Sequence, residues 1–126
     1  MTNTNRDGVF MRSGRIERST IAVGTNATAV TIIDHASAAL DDHGQHEIAA
    51  RLRELLQALS KEKDQLGDSS QDVHDQTAAA AEELEQPEPR KSVVIRLLRG
   101  VAEDSRAVAS VVNAVHSLID AVQRLL

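Results

Sequence analysis

Val94, Val101, Val108, Val115 and Val122 stand seven residues apart, and no other feature of the chain constrains its fold as strongly. Leu97, Val111, Leu118 and Leu125 hold the companion register, with Asp104 where an apolar residue is due. Apolar side chains at alternating three- and four-residue steps share one side of an α-helix. The pattern is therefore an a/d heptad repeat sustained over more than four heptads. Leu98, Val112, Ile119 and Leu126 widen the stripe on one flank. That width suits the core of a helical bundle better than the narrow seam of a two-stranded coil. Gly100 and Asp104-Ser105 leave two outcomes open, a kink or a break into two helices. Unbroken, about 35 residues at 1.5 Å each would span roughly 50 Å.

Two shorter helices precede it. Ile48, Leu52, Leu55, Leu56, Leu59 and Leu66 form a single stripe, which predicts a helix over 45–66. Gly67 follows in the position where helices end on a left-handed residue. Asp68-Ser69-Ser70 is a cap cluster, and Val73, Thr77, Ala80 and Leu84 give a second helix over 70–86 a thin apolar face. The four alanines at 78–81 favour helix and permit close approach of a neighbour. Gln86-Pro87-Glu88-Pro89 ends it, because proline lacks the amide hydrogen and restricts its predecessor. Residues 34–40 read as a weak element and Asp41-Asp42-His43-Gly44 as a break. The two short helices cover only part of a 50 Å spine of about that length.

Residues 1–33 read as β-rich. Thr20-Ile21-Ala22-Val23 and Thr28-Ala29-Val30-Thr31-Ile32 alternate and are β-branched, as half-buried strands are, and Gly24-Thr25-Asn26 between them is turn chemistry. Val9-Phe10-Met11 before Ser13-Gly14 looks like another short strand. Ile16 and Ile21 fall on opposite parities, so a bulge at Arg18-Ser19 or two bent strands are needed. A hairpin or meander and a solenoid-like rung both accommodate these segments. A sheet this small is not stable alone and must pack on the helices or on another subunit. The expected fold is thus mainly α: a three-helix antiparallel bundle over 34–126 (helices 45–66, 70–86 and 91–126) with a long C-terminal helix, preceded by a short β segment at 1–33. The predicted core is Leu52, Leu55, Leu59, Val101, Val108, Val111, Val115, Leu118 and Val122.

Composition narrows the function classes. With one Phe, no Trp and no Tyr in 126 residues, no aromatic platform exists for stacking bases. With no Cys, there is no disulfide or thiolate chemistry. The formal charge of −5 is unevenly distributed: residues 1–33 carry +2, 34–89 carry −10 and 90–126 carry +3. Arg12, Arg15 and Arg18 would suit phosphate contacts, yet the chain is acidic and no helix has a basic recognition face, so nucleic acid is not an expected partner. The opening residues are polar and no apolar run is long enough for a membrane span, which predicts a cytoplasmic protein with no membrane partner.

No Gly-x-Ser-x-Gly elbow, Walker loop or Gly-x-Gly-x-x-Gly turn occurs. The carboxylates of 62–88 are spread like a solvated helix face, so no acid/base pair is expected. His43 and His46, beside Asp41 and Asp42, are the one candidate for holding a divalent metal on a helix face. Their bland reading is a polar loop capping the next helix. His74 and His116 read as surface or half-buried side chains.

The piece Ile16-Glu17-Arg18-Ser19-Thr20-Ile21-Ala22-Val23-Gly24, followed by Asn26 and Ala27, resembles the β segment that opens a class of small actinobacterial proteins. In that class a β-rich leader precedes a helical hairpin, a Glu-Pro-rich linker and a final apolar helix, an order that Pro87-Glu88-Pro89 and the helix from Lys91 follow here. Similar segments recur in bacterial conflict and signalling proteins beside NTPase or protease effectors. The resemblance implies an adaptor role and carries no catalytic residue. Asp41-Asp42-His43-Gly44 and the stretch 100–105 have no counterpart in it.

These readings converge on a non-enzymatic assembly or adaptor module without cofactor, expected to form a homo-oligomer and open to a protein partner. Its expected interface is Ile21, Val23, Val30 and Ile32 of the β edge with Val108, Val111, Val115, Leu118, Val122 and Leu125 of the last helix. One alternative is a small acidic inhibitor or immunity-type protein, its −10 middle steering it to a basic partner. A second is a metal-binding protein using His43 and His46.

Overall fold

The computed structural model describes residues 27–126, and all regular structure among them is helical. In order these are α1 (Ala27–Asp42), α2 (His46–Lys61), the single turn α3 (Lys63–Leu66), α4 (Ser70–Leu84), α5 (Lys91–Asp104) and α6 (Ala109–Leu125), with a 3₁₀ turn at Gly67–Ser69 before α4. The five long helices close into a ring. α1 packs between α2 and α4, α4 lies on α5, α5 on α6, and α6 returns to α2. The fold is mainly α as expected, but it has five long helices rather than three.

The first difference lies in α1. Thr28-Ala29-Val30-Thr31-Ile32, read as a strand, is helical, and the expected boundary at residue 33 falls inside this helix. Ala29, Ile33, Ala36 and Leu40 are buried at steps of four, three and four. Helical packing against α2 and α4 therefore overrides the β-branched alternation. The remaining β expectation, including Thr20-Ile21-Ala22-Val23, lies outside the described residues.

The second difference is at the C-terminus. The single long helix is two, joined through residues 105–108. The Ser105 hydroxyl turns back onto the Val101 carbonyl at 2.6 Å, and Val108 is extended with φ −117° and ψ 94° before α6 begins. The break equalises lengths. The long helices have 14 to 17 residues, about 21–26 Å each, so no apolar stripe runs on past its neighbours. Gly100 is not the break. It sits within α5, where a Cβ would lie 2.5 Å from Gln76 Oε1, so its bareness admits the α4 side chain. Gln76 in turn donates to Asp104 Oδ2 at 2.7 Å.

Every residue of the predicted core is buried, joined by Ile33, Ile48, Val73, Val94 and Leu98. The expected helix over 45–66 is interrupted at Glu62, which separates α2 from α3. Leu66 is buried, and Gly67 just past α3 has φ +57° and ψ −127°, a positive-φ conformation that glycine adopts without a Cβ clash. α4 is the most enclosed helix, with Ala80 and Ala81 letting α1 and α5 approach. His74 is only 2% exposed, and its Nδ1 donates to the Ser70 carbonyl at 2.7 Å. Ser37 and Thr77 likewise donate to carbonyls one turn back, so these buried polar groups are paired within their own helices.

Asp75, on the outer side of α4, is a different case. Partial burial, and then the neighbouring Asp72 carboxylate, raise its carboxyl above the ordinary value, against a smaller opposing effect of His74. An acid raised in the folded state opposes folding while ionised, and this cost vanishes as pH falls through its folded pKa and below the unfolded one. Asp75→Asn should therefore raise the melting temperature slightly at neutral pH, with the gain fading on acidification through the carboxylate range. Melting curves across that range check this, and a gain that persists in acid would contradict it.

Candidate interaction surface

α6 is tied at both ends. Arg124 near its C-terminus pairs with Glu47 at the start of α2 and with Asp120 at 3.0 Å, and these two carboxylates hold the guanidinium pKa up. Lys91 Nζ donates to the Gln123 carbonyl at 2.9 Å, and Ser110 Oγ donates to Glu62 Oε2 at 3.1 Å. So anchored, α6 turns Val111, Val115, Leu118, Ala121 and Val122 into the core. Its flank toward α5 remains at the surface.

That flank forms an open groove of about 560 Å³ between α5 and α6. Ala102 and Ile119 pack partly on the core, and Val112 is half-buried beside them. Arg99, Glu103, Arg106 and His116 line its sides. Arg106 Nη1 donates to Glu103 Oε2 at 2.6 Å. Arg99 has no ion pair or side-chain hydrogen bond among the described residues. The chemistry on offer is apolar contact flanked by charges of both signs.

The expected interface is redistributed by this arrangement. Val108, Val111, Val115, Leu118 and Val122 are not available to a partner: each is 8% exposed or less, because the chain's own helices cover the stripe. Leu125 is exposed at 42% and Leu126 at 40%. Val30 and Ile32 are half-buried on α1. Ile32 rests partly on the core and lines a second groove, about 380 Å³, with His35, Glu82 and Glu85. Ile21 and Val23 lie outside the described residues. The residues the sequence reading underweighted are Val112 and Ile119, visible there only as the widening of the heptad stripe, and Arg99, Arg106 and His116, which carried no motif.

Of the histidines near α1 and α2, His35 and His46 are engaged in ordinary surface pairs, while exposed His43 has no side-chain hydrogen bond or ion pair among the described residues. His46 Nδ1 lies 3.0 Å from Asp41 Oδ1, and Asp41 also accepts from Arg53. The hydrogen bonds from Arg53 and then His46 hold the Asp41 carboxyl below its usual range. A guanidinium already bound to that carboxylate competes with any cation placed there. Among the described residues no cluster of three or more His, Cys, Asp or Glu is arranged to hold a metal. His35 Nδ1 lies 3.1 Å from Glu85 Oε2, joining α1 to the end of α4. At the following turn Glu83 accepts from the Arg90 amide at 2.9 Å and from its guanidinium at 3.0 Å, which lowers the Glu83 pKa and fixes the Pro-containing loop into α5.

Among the described residues no helix is long and apolar enough to cross a membrane. No protein-family model, curated protein or solved structure matches the chain.

Proposed function

We propose that this chain is a non-enzymatic assembly module that associates with copies of itself and serves as an adaptor. The observation that supports this best is the outer edge of α6, where Val112 and Ile119 stay half-buried in an open groove while the chain's own helices cover the rest of the stripe. Exposed Leu125 and Leu126 lie at the end of the same helix. Ile21 and Val23, which lie outside the described residues, remain the proposed second contact. A role beside larger effectors in bacterial signalling or conflict systems fits the resemblance of residues 16–27.

The test is the solution mass of the full chain by light scattering over a range of concentrations, alone and with Ile21→Asp and Val23→Asp together. The expected result is an oligomer whose association weakens in the double variant. A full chain that stays monomeric throughout would overturn the self-assembly reading. The acidic-inhibitor reading then gains ground, because exposed Asp64, Asp68 and Asp72 have no side-chain partner among the described residues. It predicts association with a basic partner at a rate that falls steeply with salt.

A further inference from the structure

The α5–α6 groove has a composition that distinguishes among occupants. A rim of one sign would call for a partner of the other. This rim holds Arg99 and Glu103 one helical turn apart on α5, yet they are not paired with each other. Glu103 instead accepts from Arg106, and its side chain is still 68% exposed. Arg99 has no charged partner among the described residues. A twofold contact between identical patches requires self-complementarity, each positive group meeting a negative one from the other copy. Arg99, without a partner among the described residues, and exposed Glu103 on the same face can supply one such pair in each direction while Arg106 stays with Glu103 of its own chain, and apolar Val112 and Ile119 lie beside them.

Resting on the self-assembly reading, we propose that the groove's occupant is the same groove of a second copy. In this twofold contact Ile119 and Val112 of each chain enter the other's groove, and Arg99 of each meets Glu103 of the other. Half-buried apolar side chains that become fully covered supply the association energy, and the charge pairs fix the register. Because Leu118, Val115 and Val122 hold the fold from the inner side of α6, substitutions at exposed Arg99 and Glu103 leave the core intact, whereas Ile119 also rests partly on it.

The experiment is sedimentation equilibrium on the full chain and four variants, with circular dichroism to verify helix content. Ile119→Lys should weaken dimerisation roughly a hundredfold with helicity unchanged. Arg99→Glu alone and Glu103→Arg alone should each weaken it several-fold, and the double reversal should recover most of the loss, since the pair is restored with its signs exchanged. Should Ile119→Lys fail to fold, the exposed charge reversals still decide. A dimer unaffected by Ile119→Lys or by the charge reversals would leave self-assembly standing and remove the groove as its surface. Single reversals that weaken the dimer without recovery in the double variant would overturn the Arg99–Glu103 pairing. A wild-type chain that is monomeric at every concentration would overturn both the groove contact and the self-assembly reading.

Discussion

Val115→Asp will unfold the chain rather than merely separate an assembly. Val115 is fully buried between α6 and the helices around it. An unpaired carboxylate forced into that setting carries an effective penalty of several kcal/mol. Loss of the valine's own burial adds about 1.5–3 kcal/mol. Against a total stability of about 5–15 kcal/mol for an ordinary domain, the sum removes most or all of the folded state. Circular dichroism at low temperature should show lost helix. A Val115→Asp chain that is fully helical and monomeric would mean that the stripe faces a partner instead of the core.

The second large effect separates two neighbours on α5. Leu98 is fully buried, whereas Leu97 is half-buried at the edge of the core. Leu98→Ala should cost about 2–5 kcal/mol, the range for a large side chain deleted from a packed interior. Leu97→Ala should cost clearly less, about 1 kcal/mol, because less area is removed from contact. Urea unfolding checks this through the midpoints, with similar slopes in both variants. Equal losses, or a larger one for Leu97, would put the helix in the other register.

That pair of leucines shows what the sequence could and could not reveal. The valines at seven-residue intervals are all buried, and so is the whole of the predicted core. Yet Leu97, in the companion register, lies at the edge, and Leu98 from the widening flank takes the inner place. The break hid in the same repeat. The residues from Ser105 to Val108 use the same number of positions as a helical turn, so Val101, Val108 and Val115 keep their spacing across a reversal of the chain. Only Asp104-Ser105 marked it. α1 was hidden for another reason. On its buried face only Ile33 and Leu40 carry a strong hydropathic signal and Ala29, Ala36 and Ser37 carry little, while Thr28, Val30 and Ile32 alternate like a strand. The groove was the least legible feature. Arg99, Glu103 and Ile119 meet only because α6 folds back on α5, and no spacing within one helix encodes that return.

The covering of the α6 stripe by the chain's own helices is tested most directly by amide hydrogen exchange over 111–122, measured on the full chain across a wide dilution series. A bundle closed within one chain predicts protection that persists when the chain is diluted to the monomer, reduced only by the stability that association adds, since α2 and α5 cover this face whether or not copies associate. Protection that falls away as the chain is diluted, with helicity elsewhere retained, would contradict it and return Val111, Val115 and Leu118 to an interface between copies.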